Sequence, residues 1–478
     1  MDYKVWANGE NKSYGGEVRK VISPLDSKEI GSFEFLPLEA LAGIVDKMQE
    51  AQKDWALLSI KQRIKVIFNL RNLLIRDKEE IANIIHSENG KTLKESRAAV
   101  DNAVEFCEYA TSLPVAAAGH FEYVSTGVCV KEIKKPVGIV ASIVPFNFPL
   151  MVPFWTLPTA LVLGNAIIFK PSISTPLSLF KVAELLKEAG LPDGLFAVLP
   201  GDVDLVNAIV DEPRIEAITF VGSTKAAKSV YKRGTQNLKR VLAMGGAKNF
   251  ITVSPESNYK MAAKEICNAA YGMTGQRCMA ASVVVTIGEN ENLINEILEI
   301  TRNLKVGEDM GPLISEDAIT KIKNWLADAK TKGKVLFDGI KDAKLPDKGT
   351  YVGPSVVKYD KYEDMTPEEI FGPTIEILVA KDIDQAIEFQ NNNQYGNGSS
   401  IYTGLGEVAE KFENGLSAGM LGVNIGVPVP SIPFAFGGDK YSKFGVGDIT
   451  GHSSIEFFTK TRKVTTKWNS AYRTDWRS

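Results

Sequence analysis

The chain's 478 residues, 44% hydrophobic and 24% charged, suit a globular protein of two or three domains of about 100–200 residues each and exclude a disordered or fibrous class. Lysine plus arginine total 55 against 58 acidic residues, a net charge of −3, so nothing favours nucleic acid or an anionic membrane and a small molecule is the expected partner. Cys107, Cys129, Cys267 and Cys278 form no CxxC pair, and His86, His120 and His452 lie at no metal-ligand spacing, which argues against a disulfide framework and a metal site.

The N-terminal stretch has no charged region followed by an apolar one, so no secretory signal is expected and a reducing, cytoplasmic compartment fits. Ile60, Ile64, Ile67, Leu70 and Leu74 recur at helical spacing, with Lys61, Arg63, Lys65 and Arg71 available to the other face, which predicts a core-facing helix. Gly90-Lys91-Thr92 lacks the upstream glycine of a P-loop and reads as a helix end. No charged residue lies between Lys135 and Lys170, but Pro136, Pro145, Pro149, Pro153 and Pro158 divide this run. It therefore reads as buried core rather than a membrane span: a strand at 139–144, an apolar loop, a short helix and a strand at 166–170.

Thr175 is the expected N-cap of the next helix, with Pro176 at its first position, and Gly190 to Gly194 supply a stop and a turn. A strand at 195–199, a helix through 211 and a strand at 218–221 complete a β-α-β alternation, which implies a parallel sheet with ligands at the carboxyl ends of its strands. Helices near 257–275, 290–304 and 316–332, with β-rich segments at 335–358 and 374–380, suggest a second α/β domain; the Lys/Asp-rich stretch 340–348 reads as a solvated loop.

No GxGxxG follows a strand. Lys170 closes one predicted strand, and Gly222-Ser223 follows another just before a helix N-terminus that would favour phosphate. Cys278, in YGMTGQRCMAA, lies between a helical pattern and a β-rich run, with backbone amides available nearby. Taken singly, Cys278 could be a small buried hydrophobe, Asn147 a turn residue, and Glu369 and Phe371 a surface charge and a core filler.

Together, the Cys278 segment, PFNFP at 145–149, FKPS at 169–172, FVGS at 220–223 and EEIFGP at 368–373 resemble the NAD(P)-dependent aldehyde dehydrogenase superfamily, in its order and over nearly the whole chain. PFNFP, GAKN at 246–249, GQRCMA at 275–280 and VNIGVPVP at 423–430 are most similar to its methylmalonate-semialdehyde dehydrogenase branch. The resemblance implies an α/β fold: a parallel-sheet dinucleotide-binding domain (1–119 and 138–245), an α/β catalytic domain (246–422) and a small β oligomerisation extension (120–137 and 455–478) that would build a homodimer or homotetramer.

It also implies roles. Cys278 would attack the aldehyde, with Asn147 and the Cys278 backbone N–H stabilising the oxyanion. Lys170 would meet the adenosine ribose, with Ser172 beside it a partner for a 2′-phosphate, Gly222 and Ser223 the pyrophosphate, and Glu369 and Phe371 the nicotinamide ribose and ring; Phe146 and Arg277 would contact substrate.

The sequence departs from the family pattern at three positions. Met244 stands where the family's general base is a glutamate, so either water is activated by another group, with Glu369 the nearest candidate, or coenzyme A resolves the thioester. Ala99 stands where the branch places a second carboxylate-binding arginine, with Arg97 on another helical face. Ile173 replaces the glutamate that pairs with the ribose 2′-hydroxyl, which favours NADP while leaving NAD possible. The expected activity is oxidation of a short polar aldehyde, glyceraldehyde-like or an acid semialdehyde, to the acid. The alternatives are a CoA-acylating methylmalonate-semialdehyde dehydrogenase and a non-catalytic dinucleotide-binding relative.

Overall fold

The computed structural model describes residues 1–468. Two large sheets and one small one organise them. In the first, Phe196–Val198, Ala166–Lys170, Ile139–Ile143, Ile215–Val221 and Arg240–Met244 lie side by side in parallel. Antiparallel strands close its edges, Val5–Ala7 with Glu10–Lys12 on one side and Lys443–Phe444 on the other. The chain runs outward in one direction from Ile139–Ile143, then returns to its other side with Ile215–Val221. That reversal opens a crevice at the carboxyl ends of these two strands, where open α/β sheets hold ligands.

The second sheet orders Lys334–Phe337, Ser355–Lys358, Thr374–Ala380, Ala281–Ile287, Asn249–Val253, Gly398–Tyr402 and Met420–Val423, parallel except for its first pair. Its faces alternate with period two: Ile251, Val253 and Val284 enter one core, Phe250, Val283 and Val285 the other. Gly245–Lys248 link the last parallel strand of the first sheet directly to Asn249–Val253. The carboxyl ends of one sheet therefore confront the amino ends of the other. In the small sheet, Val128–Pro136 pairs with Phe121–Ser125 and with Thr459–Lys467.

The predicted helix over Ile60–Arg76 forms behind a Ser59–Gln62 capping box and buries Ile64, Ile67, Leu70 and Leu74. The charge-free run folds as Ile139–Ile143, a twelve-residue helix Met151–Val162 and Ala166–Lys170; among the described residues no helix is long and apolar enough to cross a membrane.

Three expectations need correction. The helix after Lys170 starts at Leu177, with Pro176 at the N-cap. Thr175 Oγ1 instead donates to the Phe146 carbonyl, and the first helical N–H groups, of Leu177 and Ser178, donate to the fully buried Glu88 carboxylate at 2.7 and 3.1 Å. A carboxylate from elsewhere thus takes the capping role. Between Lys334–Phe337 and Ser355–Lys358 the β-rich reading gives way to loop and turn over 338–354, which includes the loop expected at 340–348 and is held in part by Asp338, which accepts from the Ile340 and Lys341 N–H groups. The C-terminal segment expected as β begins inside the helix Gly451–Phe458 and becomes strand only at Thr459; residues 469–478 lie outside the described residues.

Candidate active site

Cys278 follows a short helical turn, Gly272–Gly275, and precedes the strand Ala281–Ile287. Met273, Thr274 and Gly275 all adopt left-handed backbone, with φ of 54°, 57° and 66°. Such torsions in two non-glycine residues are strained and persist only where surrounding contacts hold them. Those contacts are present: Met273 N–H donates to Glu95 at 2.7 Å, Thr274 Oγ1 to the Gly311 carbonyl at 2.9 Å, and Gln276 Oε1 accepts the Ile314 N–H at 3.0 Å. At Gly275 a Cβ would come within 2.1 Å of the Gly372 carbonyl, so only glycine lets this loop press against the EEIFGP segment.

Asn249 and Asn397, both buried, each donate a side-chain amide to the Cys278 carbonyl at 2.9 Å. The backbone N–H groups of Cys278 and Met279 favour the thiolate, as does the Arg277 charge, but burial and then the Glu369 charge oppose it and push the thiol up to about 12.

Cys278 lies on the wall of two cavities. The larger, about 620 Å³, occupies the crevice of the first sheet and is lined by Asn147, Lys170, Gly222, Ser223, Glu369 and Phe371, with Phe146, Ser172 and Ile173 also on its wall. All the residues expected to serve a dinucleotide therefore meet there. Ser223 caps the helix Thr224–Gln236 and turns that N-terminus toward the cavity. Burial lowers Lys170 to about 8, opposed by the Asp202 charge. Glu369 accepts the Ala247 N–H at 2.9 Å and is raised by burial to about 7. Phe371, at φ 61°, sets its ring edge-on to Phe146 at 6.0 Å. A Cβ on Gly246 would stand 2.6 Å from a Glu369 carboxylate oxygen. The volume, the glycine-bared floor and the capped helix end fit a dinucleotide.

The smaller cavity, about 350 Å³, is lined by Phe106, Phe148, Trp155 and Phe436 with Glu105, Arg277 and Cys278. Arg277 Nη2 donates to the carbonyls of Asn268 and Ala269, both at 2.8 Å, at the end of the helix Tyr259–Tyr271, while its buried Nε has no partner. Phe146 does not line this cavity. Asn147 donates to the Gln276 carbonyl at 3.0 Å and retains a second amide hydrogen.

Met244, 2% exposed, ends its strand inside the core and offers no proton acceptor. Ala99 is buried in the helix Leu93–Thr111, and Arg97 pairs with Glu79 at 2.8 Å, committed elsewhere. Sequence reading assigned no role to Asn249, Asn397, Gln276, Asp202 or Lys91. Asn249, the last residue of GAKN, and Gln276, inside GQRCMA, carried a signal as members of those motifs. Among the described residues no group of acidic, histidine or cysteine side chains could hold a metal.

The aldehyde dehydrogenase family model matches residues 11–464. Malonate-semialdehyde dehydrogenase 2 of Geobacillus kaustophilus is 36% identical over 469 residues, covering 96% of each chain. Malonate-semialdehyde dehydrogenase of Lacticaseibacillus casei is 36% identical over 475 residues, covering 97% of this chain and 95% of its own. Among solved structures, a Sinorhizobium meliloti 1021 protein assigned as a methylmalonate-semialdehyde dehydrogenase and complexed with NAD superposes with a TM-score of 0.95 at 34% identity, covering 98% of both chains. The methylmalonate-semialdehyde dehydrogenase of Oceanimonas doudoroffii gives 0.96 at 33%, covering 98% of this chain and 99% of its own.

Proposed function

The chain belongs to the aldehyde dehydrogenase family, and within it we propose an enzyme that oxidises a short acid semialdehyde and hands the acyl group to coenzyme A. The observation that carries this reading is Met244: a buried thioether stands where a carboxylate would activate water. A thiol acceptor, with a pKa of about 8–9, needs far less activation near neutrality than water does. The names of the relatives at 36% identity support the same branch. Water activated by Glu369, raised to about 7, is the rival route to a free acid, and it is the route that a glyceraldehyde-like substrate would need.

Cys278 Sγ adds to the aldehyde carbon, and the developing oxyanion is received by the free amide hydrogen of Asn147 and the Cys278 backbone N–H. Arg277, on the wall of the smaller cavity, meets a substrate carboxylate there. Lys170 would hold the adenosine ribose, the helix N-terminus at Ser223 the pyrophosphate, and Glu369 with Phe371 the nicotinamide ribose and ring, all of them on the wall of the larger cavity. When bound, the nicotinamide supplies the two-electron acceptor for the aldehyde carbon. The acyl thioester left on Cys278 then passes to the coenzyme A thiol.

For the cofactor we favour NAD over the NADP expected from Ile173. Asp202 lines the same cavity as Lys170 and acts on its charge, and a carboxylate there repels a 2′-phosphate. The exposed strand Phe121–Ser125 leaves a sheet edge open, which supports assembly through a second copy; sedimentation at monomer mass would refute that.

The test is reduced-cofactor formation with NAD or NADP across malonate semialdehyde, methylmalonate semialdehyde and glyceraldehyde, each with and without coenzyme A. Turnover of the acid semialdehydes that rises at least about tenfold with coenzyme A supports the proposal. Equal rates without it, with glyceraldehyde preferred, overturn it.

A further inference from the structure

Two cationic nitrogens near Cys278 are buried and have no hydrogen-bond partner: Arg277 Nε and Lys91 Nζ. Lys91 follows the helix Lys78–Asn89 and is 4% exposed. Its ammonium stands over the Phe148 ring, 4.1 Å from the centroid, and Phe148 is part of the wall of the smaller cavity that holds Arg277 and Cys278. Lys91 thus sits behind the wall against which an aldehyde would lie.

The charged neighbours explain why both cations are left over. From the helix Leu93–Thr111 comes Glu95, the one carboxylate both feel, while Glu105 of the same helix lines the wall of the smaller cavity and acts on neither cation. Its oxygens are already taken by Met273 N–H, Thr92 N–H and Thr92 Oγ1. From the Cys278 loop come Arg277, which repels Lys91, and the thiol itself. From the preceding helix, His86 meets only the Lys91 backbone carbonyl, and the buried Glu88 carboxylate is bound to the Leu177 and Ser178 N–H groups. The segment carrying Phe146, Asn147 and Phe148 brings no charge. Burial accordingly lowers Lys91 to about 7. An uncompensated buried cation is expensive, and a nearby anion relieves the cost.

We propose that Lys91 is the second cation of a carboxylate-selecting pair with Arg277, supplying from behind Phe148 the positive charge that Ala99 cannot. The void beside Lys91, about 10 Å³, is too small for a carboxylate, so Lys91 is a positioning residue that acts through its field while Arg277 makes the contact. This inference rests on the acid-semialdehyde reading above. It adds a proton linkage: an anion in the smaller cavity favours the ammonium, so Lys91 takes up a proton as the anion binds.

The experiment pairs kinetics with calorimetry. Lys91→Met should raise KM for malonate semialdehyde about tenfold, with kcat and the constants for propanal changed less than about twofold, while Lys91→Arg retains the wild-type KM. Because Lys91→Met removes an uncompensated buried charge, its unfolding midpoint should not fall. Propanoate, an unreactive probe, should bind the wild type near pH ~8 with proton uptake, read from the dependence of the heat on buffer ionisation, and with none near pH ~5.5, where Lys91 is already charged. Lys91→Met should bind it without uptake at either pH.

Loss of acid and neutral aldehydes alike in Lys91→Met, or propanoate binding by the wild type without proton uptake, overturns the role of Lys91. If Arg277→Leu discriminates between the two aldehydes and Lys91→Met does not, this inference alone falls. If Arg277→Leu does not discriminate, the acid-semialdehyde reading falls with it.

Discussion

Asn249 donates its side-chain amide to the carbonyl oxygen of Cys278 at 2.9 Å and to that of Ala280 at 2.9 Å, while its own oxygen accepts the Gly398 N–H at 3.0 Å. One buried side chain thereby ties the nucleophile's backbone to two strands of the second sheet, its own Asn249–Val253 and Gly398–Tyr402. Asn249→Ala strands buried polar groups, with an expected cost on the order of 2–3 kcal/mol in urea unfolding and a kcat lowered about tenfold or more. An unchanged kcat would show that the Cys278 backbone is held in place without it.

Glu88 gives the fold a pH dependence whose sign is fixed by its burial. Its carboxylate caps Leu177 and Ser178, yet burial outweighs those hydrogen bonds and raises it from 4.5 to about 7. The native state therefore binds this proton more tightly than the unfolded chain does. The stabilisation is complete below about pH 4.5 and is lost as pH rises through about 7, a change on the order of 3 kcal/mol. Glu369 titrates in the same sense, so the measurement is a difference: urea stability of wild type minus Glu88→Gln across this window. A difference that does not vary with pH would contradict the assignment.

Lys248 and Glu376 form an ion pair with neither side chain exposed, and Trp325 donates to the same carboxylate at 3.3 Å. Removing one member leaves an uncompensated buried charge, so Lys248→Met should lose about 3–5 kcal/mol, while Lys248→Met with Glu376→Leu should regain most of it. Equilibrium unfolding of the three proteins decides this. A double variant no more stable than the single one would mean that the pair also anchors the segment through the Lys248 contact with the Glu368 carbonyl, 3.2 Å away.

What the sequence by itself determined is what depends on near neighbours along the chain. The strands Ile139–Ile143, Ala166–Lys170 and Ile215–Val221 were legible because each is an apolar run bounded by turn residues. The helix Glu316–Lys332 was legible through its own periodicity. The spaced motifs were enough to indicate the family and to gather Lys170, Ser223, Glu369 and Cys278 as a set.

Only the tertiary structure decided which of these local groups found partners far away in sequence. Thr175 looked like a cap, but Glu88 crosses from another helix to take that place. Lys91 read only as part of a helix end, and the fold buries its ammonium against the Phe148 ring. Asn249 and Asn397, far apart in the chain, converge on one carbonyl. Arg277 turns one guanidinium nitrogen to a helix end and leaves its buried Nε without a partner. Periodicity records which face of an element is apolar, whereas desolvation and the pairing of buried polar groups are set by elements that meet only once the chain has folded.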